Sequence, residues 1–572
     1  MRRFGLADGL GIVAALTAVM YLPGLVDPLT YPKLLVLAAG GLALAPAVYL
    51  RWRKGSGATW PSLVVCGAAT LNRDEVARTI TWLLGGATIV AFIGILQAAG
   101  VAFPEGGVGG SVTGLMGNTN FASGYFAILG VLALGRALTQ AVVWQRIWGG
   151  VLFVILGALA VLTEAQQGPV ALAAGLVAFG VAYALLYRGR WRVPGLIAAG
   201  AVVALGAALL IASSFAVGPL ARLWSESTFD IRQEYWQSAW NIMNGVPIFG
   251  TGPDSFARFV GEYRPESYVE LLGPVLRVSA AHNVALQFGA VLGWLGLVLW
   301  IVTFVGALLL LLVRIVRAPV VSIALTASVF GALVAYFIQG MVSIDMLPLL
   351  ATGWLVAGLA VAAAREPLPK AASEETPAPQ TRKAKAKSVS RSPVALDGPM
   401  TPVWVPVTGG VLALGAVILV GAQIGAAGAV QNLNSQEAAV GFVTNPLSPC
   451  PLRIQTTQQL IQQVPADVSV PTTYDALAVD PRCAPMINFA SDLAIQSGEL
   501  ERADSLTLEG IEFDPLLDLS WILRARYLLA AGDVNGAQAA LDEAVRVQSL
   551  YPETSEKTPT ADLQAEIDAA RG

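Results

Sequence analysis

Apolar residues come in long unbroken blocks along most of this chain, and the polar residues are gathered between them. The blocks lie at about 6–22, 33–50, 79–99, 121–138, 147–163, 169–187, 195–216, 284–313, 320–341, 346–364 and 403–424. A helix needs about 20 mostly apolar residues to cross the hydrocarbon core of a bilayer, so each block predicts a membrane-spanning helix. The stretch "PSLVVCGAATLNRDEVAR" (61–78) breaks the rhythm, because its apolar piece is too short to cross. A crossing there would invert every later loop, so a re-entrant or merged segment is expected. The first block follows "MRRFGLADGL" with no small-residue cleavage site and reads as a helix, not a removable leader. The pattern predicts an all-α, polytopic transmembrane bundle of about 11–12 helices, with residues 1–364 as its main domain.

Residues 365–402 change character. Rich in Pro, Ala and Lys, they cannot build a core. They read as a cytoplasmic linker, either plainly solvated or a basic tether to anionic lipid. The block at 403–424 predicts a last membrane helix. Beyond it, 436–572 is polar and repeats itself. Gly498 and Gly532, Ala503 and Ala537, and Pro481 and Pro515 are each 34 residues apart. That period, with small residues where two helices cross, resembles the tetratricopeptide repeat. A degenerate earlier copy is expected from near Pro446, since fewer than three helical pairs stack poorly. A concave binding surface and a structural cap on the membrane domain are both open readings.

Charge adds an orientation. Charged residues are 13% and hydrophobic residues 55% of the 572, against about 25% charge in a soluble domain. A soluble globular protein is thereby excluded. Lys and Arg cluster at Arg2–Arg3, Arg51–Lys54, Arg136–Arg146, Arg188–Arg192, Arg314–Arg317 and Arg365–Arg391. The positive-inside rule makes those segments cytoplasmic. The loops at 100–120 and 217–282, and the chain beyond about 425, are then outside. Cys450 and Cys483 hold equivalent positions of adjacent repeats in that outer region, where an isolated pair more often bridges, so a disulfide is expected. Cys66 reads as packing. No His, Cys and carboxylate cluster has ligand spacing, so neither a metal nor another cofactor is expected, and no nucleic-acid partner is called for.

The candidate chemistry sits in one outer segment. "STFDIRQEYWQSAWNIMNGVPIFGTGPDSF" (227–256) is polar, aromatic and Gly-rich, and His282, the only histidine of the chain, follows in "AHN". Arg232, Trp236 and Trp240 are spaced to share one helical face, with Tyr235 beside them. An amphipathic anchor at the membrane interface explains that face. So does a phosphate site, because a fixed guanidinium matches phosphate oxygens bidentately. A lone His is more often structural than catalytic, for instance as a cap on the helix beginning "NVALQFGAV". At an outer interface an imidazole is nevertheless the natural base for a hydroxyl acceptor.

These residues carry a family resemblance. "GLMGNTNFASGYFAI" (114–128), "IRQEYWQSAWNIMNGVPIFGTGPDSF", "AHNVALQFGAVLGWLGLV" and "AYFIQGMVSIDMLPLLATGWLVAGL" stand in the order and spacing of the O-antigen ligase and O-antigen polymerase superfamily. The variety resembled carries a C-terminal tetratricopeptide region. The resemblance implies a membrane-embedded C-type glycosyltransferase fold. It also implies an undecaprenyl-diphosphate-linked glycan donor, a glycan, lipid or protein acceptor, and metal-independent transfer on the outer face of a bacterial cytoplasmic membrane. On that reading Arg232 and His282 are the catalytic pair, and Asn118, Asn120 and Asn283 line the substrate. Where many members carry an arginine, this chain reads "TEAQQGPVAL" (163–172), with Gln166 or Gln167 in its place. A second contact to the diphosphate is then sought among Arg222, Arg258, Arg264 and Arg277.

The expected reaction is a single displacement: the acceptor hydroxyl attacks the anomeric carbon, His282 takes its proton, and Arg232 holds the leaving diphosphate. Ligase and polymerase differ only in acceptor. A lipid-glycan transporter would place ionisable groups inside its helices near the midplane, and these spans are nearly free of them. A non-catalytic scaffold, binding envelope-assembly proteins through its repeats, is the remaining alternative.

Overall fold

The computed structural model describes residues 5–21, 30–51, 63–103, 111–187, 226–317, 322–365 and 450–571, with most of 189–204 and 436–448 and Val320. The linker at 366–402, the block at 403–424, most of 195–216, and Arg222 lie outside the described residues. Every described element is a helix. The first seven are α1 (Leu6–Val19), α2 (Thr30–Arg51), α3 (Leu63–Ala69), α4 (Arg73–Ala98), α5 (Thr119–Thr139), α6 (Val143–Leu162) and α7 (Gln167–Leu186). The polar segment forms α8 (Glu226–Gly245), α9 (Phe256–Tyr263) and α10 (Glu266–Leu272). It leads into α11 (Val284–Arg317), α12 (Ile323–Gly340) and α13 (Leu347–Ala364). Among the described residues, eight helices are long and apolar enough to cross a membrane: α2, α4 to α7 and α11 to α13.

The spans pack through small residues, the usual route to close approach where lipid and side chain are equally apolar. A Cβ on Gly331 of α12 would meet the Gly175 carbonyl oxygen of α7 at 2.4 Å, and one on Gly168 would meet the Ser123 side chain of α5 at 2.4 Å. At the periphery, α6 exposes Trp144, Ile147, Val151, Val154 and Val161, and α11 exposes Leu295, Val298, Val302, Leu309 and Val313. Continuous apolar stripes on exposed faces are what lipid-facing helices present.

The irregular stretch at 61–78 does not cross. Its apolar piece is the seven-residue α3. The Arg51 guanidinium at the end of α2 donates to both carboxylate oxygens of Glu75 in the first turn of α4, at 2.9 and 2.5 Å. The chain therefore leaves and re-enters at one end of the bundle. Asn72 and Glu75 close a reciprocal cap on α4, which lets it begin there as a long helix.

One predicted span is broken. Within α11, Gly293 has φ 70° and ψ −172°, a conformation foreign to helices. The preceding Gly-rich turn docks into the break: Trp294 N–H donates to the Pro247 carbonyl at 2.8 Å, and Gly252 N–H to the Val291 carbonyl at 2.9 Å. The part after the break, 294–317, already suffices for a crossing that needs about 20 residues. The part before it, 284–292, is a short half-helix, and His282 stands two residues before its first turn.

The C-terminal region is a stack of helical hairpins. After α14 (Gln436–Val443) come α15 (Cys450–Gln463) with α16 (Ala466–Val479), α17 (Ala484–Gln496) with α18 (Leu500–Phe513), and α19 (Asp518–Ala530) with α20 (Val534–Ser549); α21 (Ala561–Arg571) closes it. Successive pairs begin 34 residues apart. Gly498 and Gly532 end the first helices of the later pairs with φ of +71° and +86°, the left-handed stop that only glycine takes without strain. The first pair turns at Val464 and Pro465 instead, so its copy of the repeat is the hardest to read. Cys450 and Cys483 are joined, with Cα atoms 5.7 Å apart, and link the first pair to the second.

This stack does not stand apart. Leu516, Val547 and Tyr551 share one apolar cluster with Tyr235, Phe256, Val260, Tyr268 and Val269 from α8 to α10. Five ion pairs surround that cluster: Arg258–Asp480, Arg482–Glu262, Arg264–Asp514, Arg277–Asp514 and Arg546–Glu266.

Candidate active site

Three segments meet at one end of the bundle, opposite the end where Arg51, Arg78 and Arg136 lie. The first is the loop before α5. Gln97, buried at the end of α4, accepts from the N–H groups of Thr113 and Gly114 at 3.0 and 2.7 Å and so fixes this loop. Asn118 caps α5, its Oδ1 accepting from the Asn120 N–H at 2.8 Å. The second is the start of α7, where the buried Gln167 donates to the Asn120 carbonyl at 3.0 Å and to Ser343 Oγ at 3.1 Å. Of Gln166 and Gln167, the second is thus the one that faces inward, while Gln166 is exposed. The third is the turn between α12 and α13, reached by Asn283, whose Nδ2 donates to the Met341 carbonyl at 3.1 Å.

Asn283, not His282, caps the half-helix. Its Oδ1 accepts from the Leu286 N–H at 3.1 Å, and Gln287 Oε1 accepts from the Ala281 N–H at 2.8 Å. His282 is left with φ +51°, a left-handed conformation uncommon for a side chain with a Cβ. Its ring lies 5.3 Å from that of Tyr235 on α8. Burial, and to a lesser degree the Arg232 guanidinium, hold its imidazolium below the ordinary range. The neutral, proton-accepting form is favoured.

The arginines divide sharply. Arg258 is 2.9 Å from Asp480, and Arg264 and Arg277 are 2.8 and 2.5 Å from the two oxygens of Asp514. These three serve the contact with the hairpin stack. Arg232 has no carboxylate or hydrogen-bond partner among the described residues, and it is half-buried. An unbalanced cation in that position is costly unless something anionic comes to it. Farther round α8, Gln233, Glu234, Trp236, Gln237 and Trp240 line a cleft of about 490 Å³ with Ser267 and Leu286.

One acidic group was not singled out from the sequence. Asp345, in the turn after α12, accepts from the Tyr336 hydroxyl at 2.5 Å while its Oδ1 is buried without a partner. Burial pushes its pKa up to about 7. A single Asp in "MVSIDMLPLL" carries no spacing that marks it; only its enclosure does.

Residues 151–301 match the O-antigen ligase family. The matched stretch holds Arg232, the Gly-rich turn, His282 and the break in α11 at Gly293. No match is found among curated proteins. The apolar helices make the chain a multi-pass membrane protein, and the family match supports a ligase- or polymerase-like role in surface polysaccharide assembly.

Proposed function

We propose that this protein transfers a glycan from an undecaprenyl-diphosphate-linked donor to a hydroxyl acceptor at the outer face of a bacterial cytoplasmic membrane. One observation carries the reading: Arg232, half-buried and without a carboxylate or hydrogen-bond partner among the described residues, stands beside the only histidine of the sequence, inside the stretch that matches the ligase family. Arg232 receives the diphosphate and stabilises it as it leaves. His282, kept neutral, takes the acceptor proton as the hydroxyl oxygen bonds to the anomeric carbon and the carbon–oxygen bond to the diphosphate breaks. Trp236 and Trp240, with Gln233 and Gln237 along the cleft, suit a sugar ring, which offers an apolar face and hydroxyl edges. An apolar groove of about 380 Å³, lined by Leu10, Val13, Leu37, Leu44, Phe288 and Trp354, suits an isoprenoid chain. Asn118 and Asn283, whose side chains cap the helices that begin at the site, line the substrate together with Asn120. The hairpin stack is of the tetratricopeptide kind and lies outside, where the Cys450–Cys483 bond is at home.

Incubating purified protein with a lipid-diphosphate glycan and candidate acceptors tests this. Transfer that is lost in Arg232→Ala supports it; a folded wild-type protein that moves no glycan overturns it. The glycan profile of cells lacking the protein then separates the two acceptors. Loss of a polymer ladder marks a polymerase, and loss of attachment marks a ligase.

A further inference from the structure

Asp514 sits at the C-terminus of α18, where the helix dipole disfavours a carboxylate. Its partners explain its presence. One oxygen takes Arg264 Nη2 at 2.8 Å and the other takes Arg277 Nη2 at 2.5 Å. The side chains of Arg264 and Asp514 are 0% and 1% exposed, so neither charge has recourse to water. Asp480, 34 residues earlier and likewise at a helix C-terminus, takes Arg258 on one oxygen and Arg453, from its own hairpin, on the other. The same place in two successive hairpins therefore grips the segment before His282.

From Asp514 the contacts run on toward the histidine. Arg264 Nη1 donates to the Pro274 carbonyl at 2.8 Å, and its guanidinium lies 5.7 Å from the centre of the Tyr268 ring. The Tyr268 hydroxyl donates to the Leu276 carbonyl at 3.1 Å. The Tyr268 ring is 6.0 Å from that of Tyr235, and Tyr235 is the aromatic neighbour of His282. Pro274, Leu276 and Arg277 are thus all tied back to Asp514, directly or through Arg264 and Tyr268. His282 follows five residues later in a left-handed conformation, which persists only where its surroundings over-determine it.

We infer that Asp514 is a positioning residue, through which the hairpin stack holds His282 against Tyr235 and Arg232. Its effect on turnover rests on the function proposed above; its effect on the histidine does not. The test uses the full-length chain in detergent, where the single histidine gives one ring resonance after labelling with histidine enriched at Cε1 alone. Asp514→Asn removes the charge both arginines need. It is expected to move that resonance and to speed modification of His282 by diethylpyrocarbonate. It should also lower kcat by about 10²-fold, the usual result of misplacing a reacting group by about 1 Å, with KM little changed. Asp514→Glu should restore part of each. Should Asp514→Asn fail to fold, Arg277→Gln leaves the Arg264–Asp514 pair in place and is expected to show the same changes in smaller measure. An unmoved histidine resonance in folded Asp514→Asn, or in folded Arg277→Gln, overturns the inference. Wild-type turnover in His282→Gln would instead overturn the proposed reaction, with the resonance still deciding the role of Asp514.

Discussion

His282 combines features that a structural histidine would not need together. It is half-buried, pressed on Tyr235, left-handed in its backbone, and relieved of the capping role by Asn283. If it is the base, only the neutral imidazole works, so activity should rise with pH. The midpoint should fall below 6.5, the ordinary value of an imidazole, since burial and Arg232 both lower it. His282→Gln should lose this limb and about 10²–10⁴ in turnover, because an amide cannot carry the proton away; an unchanged pH profile at normal turnover would remove the assignment. Arg232→Lys should remain strongly impaired, as an ammonium lacks the planar fork that matches a diphosphate. Asp345 supplies a stability test. Its folded pKa of about 7 lies above the unfolded value of 3.8, so the folded state holds a proton that the unfolded state has lost. Stability should therefore fall as pH rises from about 4 to 7, and Asp345→Asn should flatten that dependence of the melting temperature.

At the scale of elements, the decisive feature is the break in α11. A Cβ on Gly293 would lie 2.4 Å from the Ile248 carbonyl oxygen and 2.7 Å from that of Pro247. Its φ of +70° with extended ψ is also a conformation open to glycine and few others. Gly293→Ala should thus undock the 245–252 turn and lower stability by about 1–3 kcal/mol for the backbone strain alone. Turnover should fall further than stability accounts for, because the half-helix that follows His282 would lose its support. A melting curve and an activity assay on the same preparation separate the two effects.

At the scale of the molecule, the hairpin stack is part of the site's construction. Removing residues 436–572 would expose Phe256, Val260, Tyr268 and Val269 and leave Arg264 and Arg277 without their carboxylate. The truncated protein should lose transfer even in a purified assay with no partner present, whereas a stack that only recruits partners would leave that assay untouched. Cys483→Ser should destabilise the stack by about 2–5 kcal/mol, the usual cost of a lost native bridge, with proteolysis of the C-terminal region as the readout.

The membrane bundle was legible in the sequence because burial in lipid acts on whole helices. A run of about 20 apolar residues announces a span whatever its neighbours are. The 34-residue spacing of the hairpins was legible for a related reason, since each repeat must present the same small residues to the next. Arg232 and His282 stood out because ionisable groups are rare in such a chain. What no pattern in the sequence showed was pairing across long separations. Arg258, Arg264 and Arg277 look as free as Arg232 until Asp480 and Asp514 are placed beside them, more than 200 residues away in the chain. The fold alone neutralises three of those arginines and leaves the fourth without a carboxylate partner among the described residues. In the same way Gly293 reads as one more small residue in an apolar run until the turn at 245–252 fills the break it makes. Local propensity and periodicity act over a few residues, whereas charge compensation and backbone docking depend on which surfaces meet, and that is settled only when the chain has folded.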